Sequence, residues 1–431
     1  MLLTDNPVLG SEGDRFGFLP HARVLCDAIN ATRDLPLSVA LYGAWGTGKS
    51  SFMNICRSLF EEQGIPVVSF NPWKYDQREE IWHALIQTIL DEIASKITEG
   101  PEAGRSAQLQ HALKKAAVLS RTAAWLMTRK AVVPLSGGLV STSDADALKE
   151  AWDEGNPLEY RHVNQFEHDF AEVVEEFTGG GRLVILIDDL DRCTPEAATT
   201  VLDSLKLFLG EASCVFVLAM DQQVIARAMA QRFDGDEEMG RRYLEKLIQF
   251  PFHLPHVTFE SMFSHLREEV VGLRDDPALW HLIRVAYGQN PRRVRRFINA
   301  LNLTVISLRL HSTPSRARML HAATLLTIRL QHPGFYAMVS RTPESWQRMD
   351  EAADGNTGAL RQDELFLFQR EQGLADLLHA TSSRRVELDF PPPPGKTEID
   401  TLTEVLSVTS GGTTDPGPDP ASSSSPEERT W

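Results

Sequence analysis

The residues Gly43-Ala44-Trp45-Gly46-Thr47-Gly48-Lys49-Ser50 fit the pattern G-x-x-x-x-G-K-[ST]. Glycines at these positions let the backbone wrap closely around an anion, with successive N–H groups turned inward. A helix that begins directly behind them adds the positive end of its dipole. In such a loop the lysine, here Lys49, meets the β and γ phosphates of a nucleotide as a point charge, and the hydroxyl, here Ser50, ligates magnesium. An apolar run before the loop (residues 38–42, SVALY) and helical periodicity after it distinguish the match from a glycine-rich turn with a chance lysine. This chemistry needs a second element, a carboxylate at the end of a neighbouring buried strand that holds the metal through water. The run Leu183-Val184-Ile185-Leu186-Ile187-Asp188-Asp189 supplies it. Asp188 is expected on the metal side, and Asp189 is expected to orient and polarise an attacking water as a general base. A helix-capping aspartate after a core strand is the plainer alternative.

Two arginine sets are candidates for sensing the γ phosphate. One is Arg192, in Asp188-Asp189-Leu190-Asp191-Arg192. The other lies in Asn290-Pro291-Arg292-Arg293-Val294-Arg295-Arg296, where Arg293 is the candidate taken forward. A surface salt bridge is the competing account of either set. Residues 282–330 hold nine arginines and no aspartate, glutamate or lysine, within a chain of net charge -16. That asymmetry suits contact with nucleotide, with the acidic stretch 144–176 of the same or another subunit, or with a nucleic-acid backbone. Aromatic residues for base stacking are sparse there, only Tyr287 and Phe297, so protein contact is favoured over nucleic acid. Trp73, at a strand end in Asn71-Pro72-Trp73-Lys74-Tyr75-Asp76, reads as a core anchor.

The elements that must position these residues alternate. After the strand at 38–42 a helix carries Phe52, Ile55, Cys56 and Leu59, and a second strand follows at 67–70. A helix over about 78–97 repeats Ile81, Leu85, Ile89 and Ile93 on one face. The sheet resumes at 183–187, a helix opens at Thr194-Pro195, and 214–219 (CVFVLA) is a further buried strand. This grammar predicts an α/β fold with a parallel sheet covered by helices. From about Pro255 helical patterns take over, with a stripe of Val294, Phe297, Ile298, Leu301 and Val305.

The expected organisation is an N-terminal segment 1–35 leading into the nucleotide site, a core 36–255, a helical lid 256–385 and a disordered tail 386–431. The tail is rich in Pro, Gly and Ser and low in apolar residues. Residues 100–156 form a helical insertion, whose apolar stretch is interrupted by Arg121, Arg129, Lys130 and Pro134, so no transmembrane segment is expected. The four cysteines form no CxxC pair, and the N-terminus carries no secretory signal, which points to the cytoplasm.

Taken together, these motifs resemble the KAP family of P-loop NTPases over roughly residues 14–301. The resemblance rests on the phosphate loop continued by Ser51, on Phe70-Asn71-Pro72-Trp73-Lys74-Tyr75-Asp76, and on Asp188-Asp189-Leu190-Asp191-Arg192-Cys193. Ala219-Met220-Asp221, Tyr243-Leu244-Glu245-Lys246 and Asn290-Pro291-Arg292-Arg293 extend it. It implies a P-loop core with an additional strand between the phosphate-loop strand and the Asp188 strand, followed by a helical lid. It adds Ser51 to the nucleotide-binding residues and puts Phe16, in Asp14-Arg15-Phe16-Gly17-Phe18, near the base. Bacterial members are often linked to phage defence. The expected function is a magnesium-dependent, ATP-hydrolysing regulatory NTPase, with ATP favoured because no guanine-reading NKxD follows. Its nucleotide state would switch self-association or binding of a protein partner. The alternatives are a nucleic-acid-stimulated motor-like NTPase and a nucleotide-gated scaffold with little turnover.

Overall fold

A computed structural model describes residues 2–75, 80–99, 157–208, 212–310, 312–371 and 373–409. The expected insertion 100–156 lies outside the described residues, as does Asp76. The chain divides into two compact units, Asn6–Ser261 and the described residues of Met1–Asp5 with Met262–Trp431. The division thus falls after Ser261, not at the expected 255.

Among the described residues the first unit is built on five parallel strands: β1 (Leu37–Tyr42), β2 (Val67–Phe70), β3 (Leu183–Ile187), β4 (Cys214–Met220) and β5 (Phe250–His253). Their order is β2-β3-β4-β1-β5, so β4 lies between the phosphate-loop strand and the Asp188 strand, as the family resemblance implies. Every residue of β3 and β4 is buried, as their unbroken apolar runs demand of strands covered on both faces. Among the described residues seven helices accompany the sheet: α1 (Leu19–Ala31), α2 (Lys49–Glu62), α3 (Glu80–Glu99), α4 (Pro157–Thr178), α5 (Pro195–Phe208), α6 (Gln222–Ala230) and α7 (Glu237–Leu247). Ala40, Tyr42, Ile185, Ile187, Phe216 and Leu218 share one cluster with Ile81, Leu85, Ile89 and Ile93 of α3 and Val201 and Leu205 of α5. The alternate residues Val39 and Leu41 point to the other face and are equally buried. Even the acidic stretch around α4 contributes, through Phe170, Val173 and Val174.

Because all strands run the same way, their C-terminal ends share one edge. Tyr42 is level with Met220, and Ile187 is level with both Leu218 and Phe70. The residues that follow these strands, Gly43, Asn71, Asp188 and Asp221, are therefore gathered along that edge, where open α/β sheets bind ligands.

A further helix, α8 (Phe259–Leu266), carries the division between the units. The second unit continues with α9 (Pro277–Tyr287), α10 (Pro291–Arg309), α11 (Arg316–Gln331), α12 (Pro333–Arg341), α13 (Glu344–Ala353), α14 (Gln362–Arg370), α15 (Leu374–Ser382) and α16 (Lys396–Thr409). Asn290 caps α10 by accepting from the Arg293 N–H at 3.1 Å, with Pro291 in the first turn. Its stripe of Val294, Phe297, Ile298, Leu301 and Val305 is fully buried. Much of the arginine charge noted above meets partners in this unit. Asp5 takes Arg292 at 2.9 Å and Arg296 at 3.0 Å, while Arg316 pairs with Asp276 and Asp389, and Arg318 with Glu398. Among the described residues no helix is long and apolar enough to cross a membrane.

The expectation of a disordered tail from residue 386 is corrected over 386–409. Phe390 is buried, and α16 buries Ile399, Leu402 and Leu406 while Thr409 meets Thr304 of α10 at 3.0 Å. These three residues recur at i, i+3 and i+7, one face of a helix. The prolines before them and the Gly/Ser-rich stretch after them hid that short stripe. Leu402→Ala should therefore destabilise the second unit by about 2–5 kcal/mol in denaturant unfolding; an unchanged midpoint would return this segment to the tail.

Candidate functional site

The phosphate-loop residues follow directly on β1. The Gly43 N–H donates to Met220 O at 3.2 Å, continuing the ladder one step past the strands. Gly46 and Gly48 then take φ of 81° and 111°, which turn the chain back to start α2 at Lys49. Thr47 Oγ1 closes the turn on Ala44 O at 2.7 Å. No side chain caps α2, so its first-turn N–H groups are presented as an anion-binding terminus. Gly48 is needed for space as well as for conformation: a Cβ there would stand 2.8 Å from the Phe18 ring.

Lys49 is nearly enclosed. Its ammonium donates to Gly43 O at 2.9 Å and Ala44 O at 3.4 Å, and pairs with Asp191 Oδ2 at 2.8 Å. With three protons and three acceptors, Lys49 is fully satisfied. Burial raises the pKa of the Asp188 carboxyl above the ordinary range, the nearby Ser50 hydroxyl opposes the shift, and the neighbouring Asp189 charge reinforces it. Asp188 Oδ1 accepts the Asp189 N–H at 2.8 Å.

Asp189 has a left-handed backbone, φ 59°, at the head of a 3-10 turn over Leu190–Arg192. Its carboxylate is held on both oxygens. Arg192 Nε lies 2.9 Å from Oδ1, and Asn71 Nδ2 donates to Oδ2 at 2.9 Å. The Arg192 guanidinium in turn sits over the Trp73 ring, 5.2 Å from its centroid. Trp73 is 50% exposed, so it is no core anchor; the buried residue of that turn is Pro72.

The other sequence candidates fall as follows. Trp45 is half exposed on the loop. Ser51 Oγ accepts from the Val8 N–H at 3.3 Å, and Asn54 donates to Val8 O at 2.7 Å, so this part of α2 anchors the incoming N-terminal segment. Asp14 caps the start of α1, accepting from Phe16 N at 3.1 Å and Leu19 N at 2.8 Å. Phe16 meets Phe18 edge-on at 6.3 Å, which puts it one ring removed from Gly48. Arg293 belongs to the second unit, where it donates to Gln331 and lies over Tyr287.

Lys49, Ser50, Asp188, Asp189, Asp191 and Arg192 are thus brought into one connected network, and Asn71 joins it. The sequence names Asn71 only within its motif. The available signal for Asn71 was its place directly after β2, but that β2 neighbours β3 is a property of the strand order.

A phosphate loop at the C-terminal edge of a parallel sheet, faced by an acidic strand end, defines a P-loop NTPase. The chain belongs to the KAP family: the KAP family P-loop domain matches residues 18–308. Among curated proteins it is similar to the Phage T7 exclusion protein of Escherichia coli (strain K12), 23% identical over 319 residues. That match covers 67% of this chain and 41% of the relative, so the chain spans about two fifths of the relative's length. Among solved structures it is similar to the Aeropyrum pernix ORC1 protein in complex with DNA, with 12% identity, TM-score 0.36, and coverage of 93% of this chain and 94% of that one. The Aeropyrum pernix ORC2 protein, in ADPNP-ADP complexes, matches with 14% identity, TM-score 0.31, and coverage of 90% and 85%.

The loop's geometry yields a stability test. Gly48→Ala should destabilise the first unit more than Gly64→Ala, measured by denaturant midpoint. Both positions have positive φ, but nothing lies within 4 Å of a Cβ at Gly64. Equal losses would mean that backbone strain alone, roughly 1–2 kcal/mol, sets the cost at Gly48.

Proposed function

We propose that this protein is a magnesium-dependent ATPase whose nucleotide state switches its assembly or its binding of a protein partner, in the defence of a bacterial cell against phage. The observation that carries the enzymatic part is the joining of the loop to the segment after β3, where Lys49 pairs with Asp191 at 2.8 Å. The defence part draws on the likeness to the Phage T7 exclusion protein.

In this reading the α2 N-terminus and Lys49 receive the β and γ phosphates, and Phe16 lies toward the base. Ser50 and Asp188 hold magnesium. They fit it: both are hard oxygen donors, and burial leaves the Asp188 carboxylate short of a neutralising partner. Among the described residues no group of three His, Cys, Asp or Glu could hold a metal, and magnesium needs none, since phosphates and waters complete its shell. The ion would neutralise charge on the transferring phosphoryl group. Asp189 orients the attacking water and takes its proton. Arg192, from the same unit as the phosphate loop, senses the γ phosphate in this reading. Phosphate binding exchanges one anion for another at Lys49, replacing the Asp191 carboxylate, and that exchange separates the empty state from the loaded one.

Lys49→Ala should abolish triphosphate binding in calorimetry with magnesium, because the phosphates lose the loop's cation; unchanged affinity would sink the assignment. Asp189→Asn should bind ATP as the parent does and lose turnover, since an amide cannot accept the water's proton. ATP should outcompete GTP, and turnover should be indifferent to DNA and RNA. Strong stimulation by either would instead favour the motor-like reading, and absence of turnover the nucleotide-gated scaffold.

A further inference from the structure

Asn71 is the one member of the network that comes from β2, and both ends of its side chain are engaged. Its Nδ2 donates to Asp189 Oδ2 at 2.9 Å, while its Oδ1 accepts the Trp73 N–H at 3.1 Å. The opposite amide orientation would set an oxygen against a carboxylate and an NH2 against an N–H, so the network fixes which end is which. The Oδ1 end has a local task, heading the turn over Pro72–Lys74. The Nδ2 end does nothing for that turn. It reaches across to the neighbouring strand.

Two donors on the two oxygens of one carboxylate fix both its position and its plane. They differ in what they tie it to. Arg192 belongs to the same short turn as Asp189, is 30% exposed and stacks on an exposed ring, so it moves with the turn. Asn71 follows β2, whose Phe70 is hydrogen-bonded to the Asp188 N–H at 3.0 Å, and so refers the carboxylate to the sheet itself. Asp189 needs that reference, because it stands on a left-handed backbone outside the strand.

We propose that Asn71 is a positioning residue for hydrolysis, holding the Asp189 carboxylate at the angle from which it addresses the attacking water. The proposal rests on the reading of Asp189 as general base. Such alignment matters to the chemical step, where small displacements of a reacting group are costly, and not to holding the nucleotide.

The discriminating variant is Asn71→Asp, which keeps the acceptor that caps Trp73 and replaces only the donor. Steady-state ATP turnover of the full chain should fall at least tenfold in kcat, with KM within about twofold of the parent. Asn71→Ala, which lacks the added charge, should lower kcat along the same axis by less. In an Asp189→Asn background, Asn71→Asp should lower turnover no further. There the new carboxylate accepts from the new amide, so the thermal midpoint lost in Asn71→Asp should return while turnover does not. If Asp189→Asn is inactive but both Asn71 variants keep the parental kcat, the proposal alone is overturned. If Asp189→Asn turns over at the parental rate, the general-base reading fails and takes the proposal with it. A rise in KM with unchanged kcat would make Asn71 a binding or structural residue and overturn it equally.

Discussion

Three carboxylates, Asp188, Asp189 and Asp191, stand within four consecutive residues at the end of a strand that is buried throughout. Anions so close in a poorly solvated place cannot share one counter-group; each needs its own, from a different direction. The structure supplies two of them from separate elements, Lys49 for Asp191 and Arg192 with Asn71 for Asp189, while Asp188 has only the neighbouring Ser50 hydroxyl and the Asp189 N–H. Those partners come from the segments after β1, β2 and β3. Only a sheet whose strands all end on the same side, with β2 beside β3, delivers them together. The parallel topology is thus the condition under which the acidic strand end can exist.

The same constraint sets the state of the loop. A buried ion pair such as Lys49–Asp191 holds firmly, because removing one partner leaves a charge that costs about 3–5 kcal/mol. In the proposed function a phosphate would take Asp191's place at Lys49, bringing its own negative charge to the same ammonium and leaving Asp191 to be met by another group. In that reading occupancy of the loop would bear on the turn that Asp189 heads, since Asp191 belongs to it.

How much of this was legible follows from the range over which each feature is encoded. The strands at Ser38–Tyr42, Leu183–Ile187 and Cys214–Ala219 announced themselves as unbroken apolar runs, and the caps at Thr194 and Asn290 lie within three residues of the groups they satisfy. The phosphate loop is legible because glycines with positive φ leave a local trace. Trp73 was misread because an aromatic beside a strand is usually core, whereas its ring is half exposed and meets an arginine, Arg192, from another strand's turn. The helix over Lys396–Thr409 was missed because three apolar residues were outweighed by the low-complexity sequence around them. Asn71 was invisible as a site residue for a different reason: its partner is 118 positions away, and nothing in either segment states that β2 and β3 are neighbours.

The arginine-rich stretch makes the same point in reverse. Nine arginines without a nearby acid look, in one dimension, like a surface awaiting an external anion. In the folded unit, Asp5 near the chain's start accepts two of them, while Asp276, Asp389 and Glu398 accept others. The asymmetry was real, but it was an asymmetry of sequence order, since the neutralising carboxylates are placed before and after the run instead of inside it. Such spacing has a structural use. Helices that carry arginines and lack acids cannot satisfy themselves through i,i+4 pairs. Their charges must be met by segments distant in the chain, and the N-terminal residues and the C-terminal helix are thereby bound to α10 and α11. What reads as a binding surface is, over these residues, a means of closing the helical unit on its own two ends.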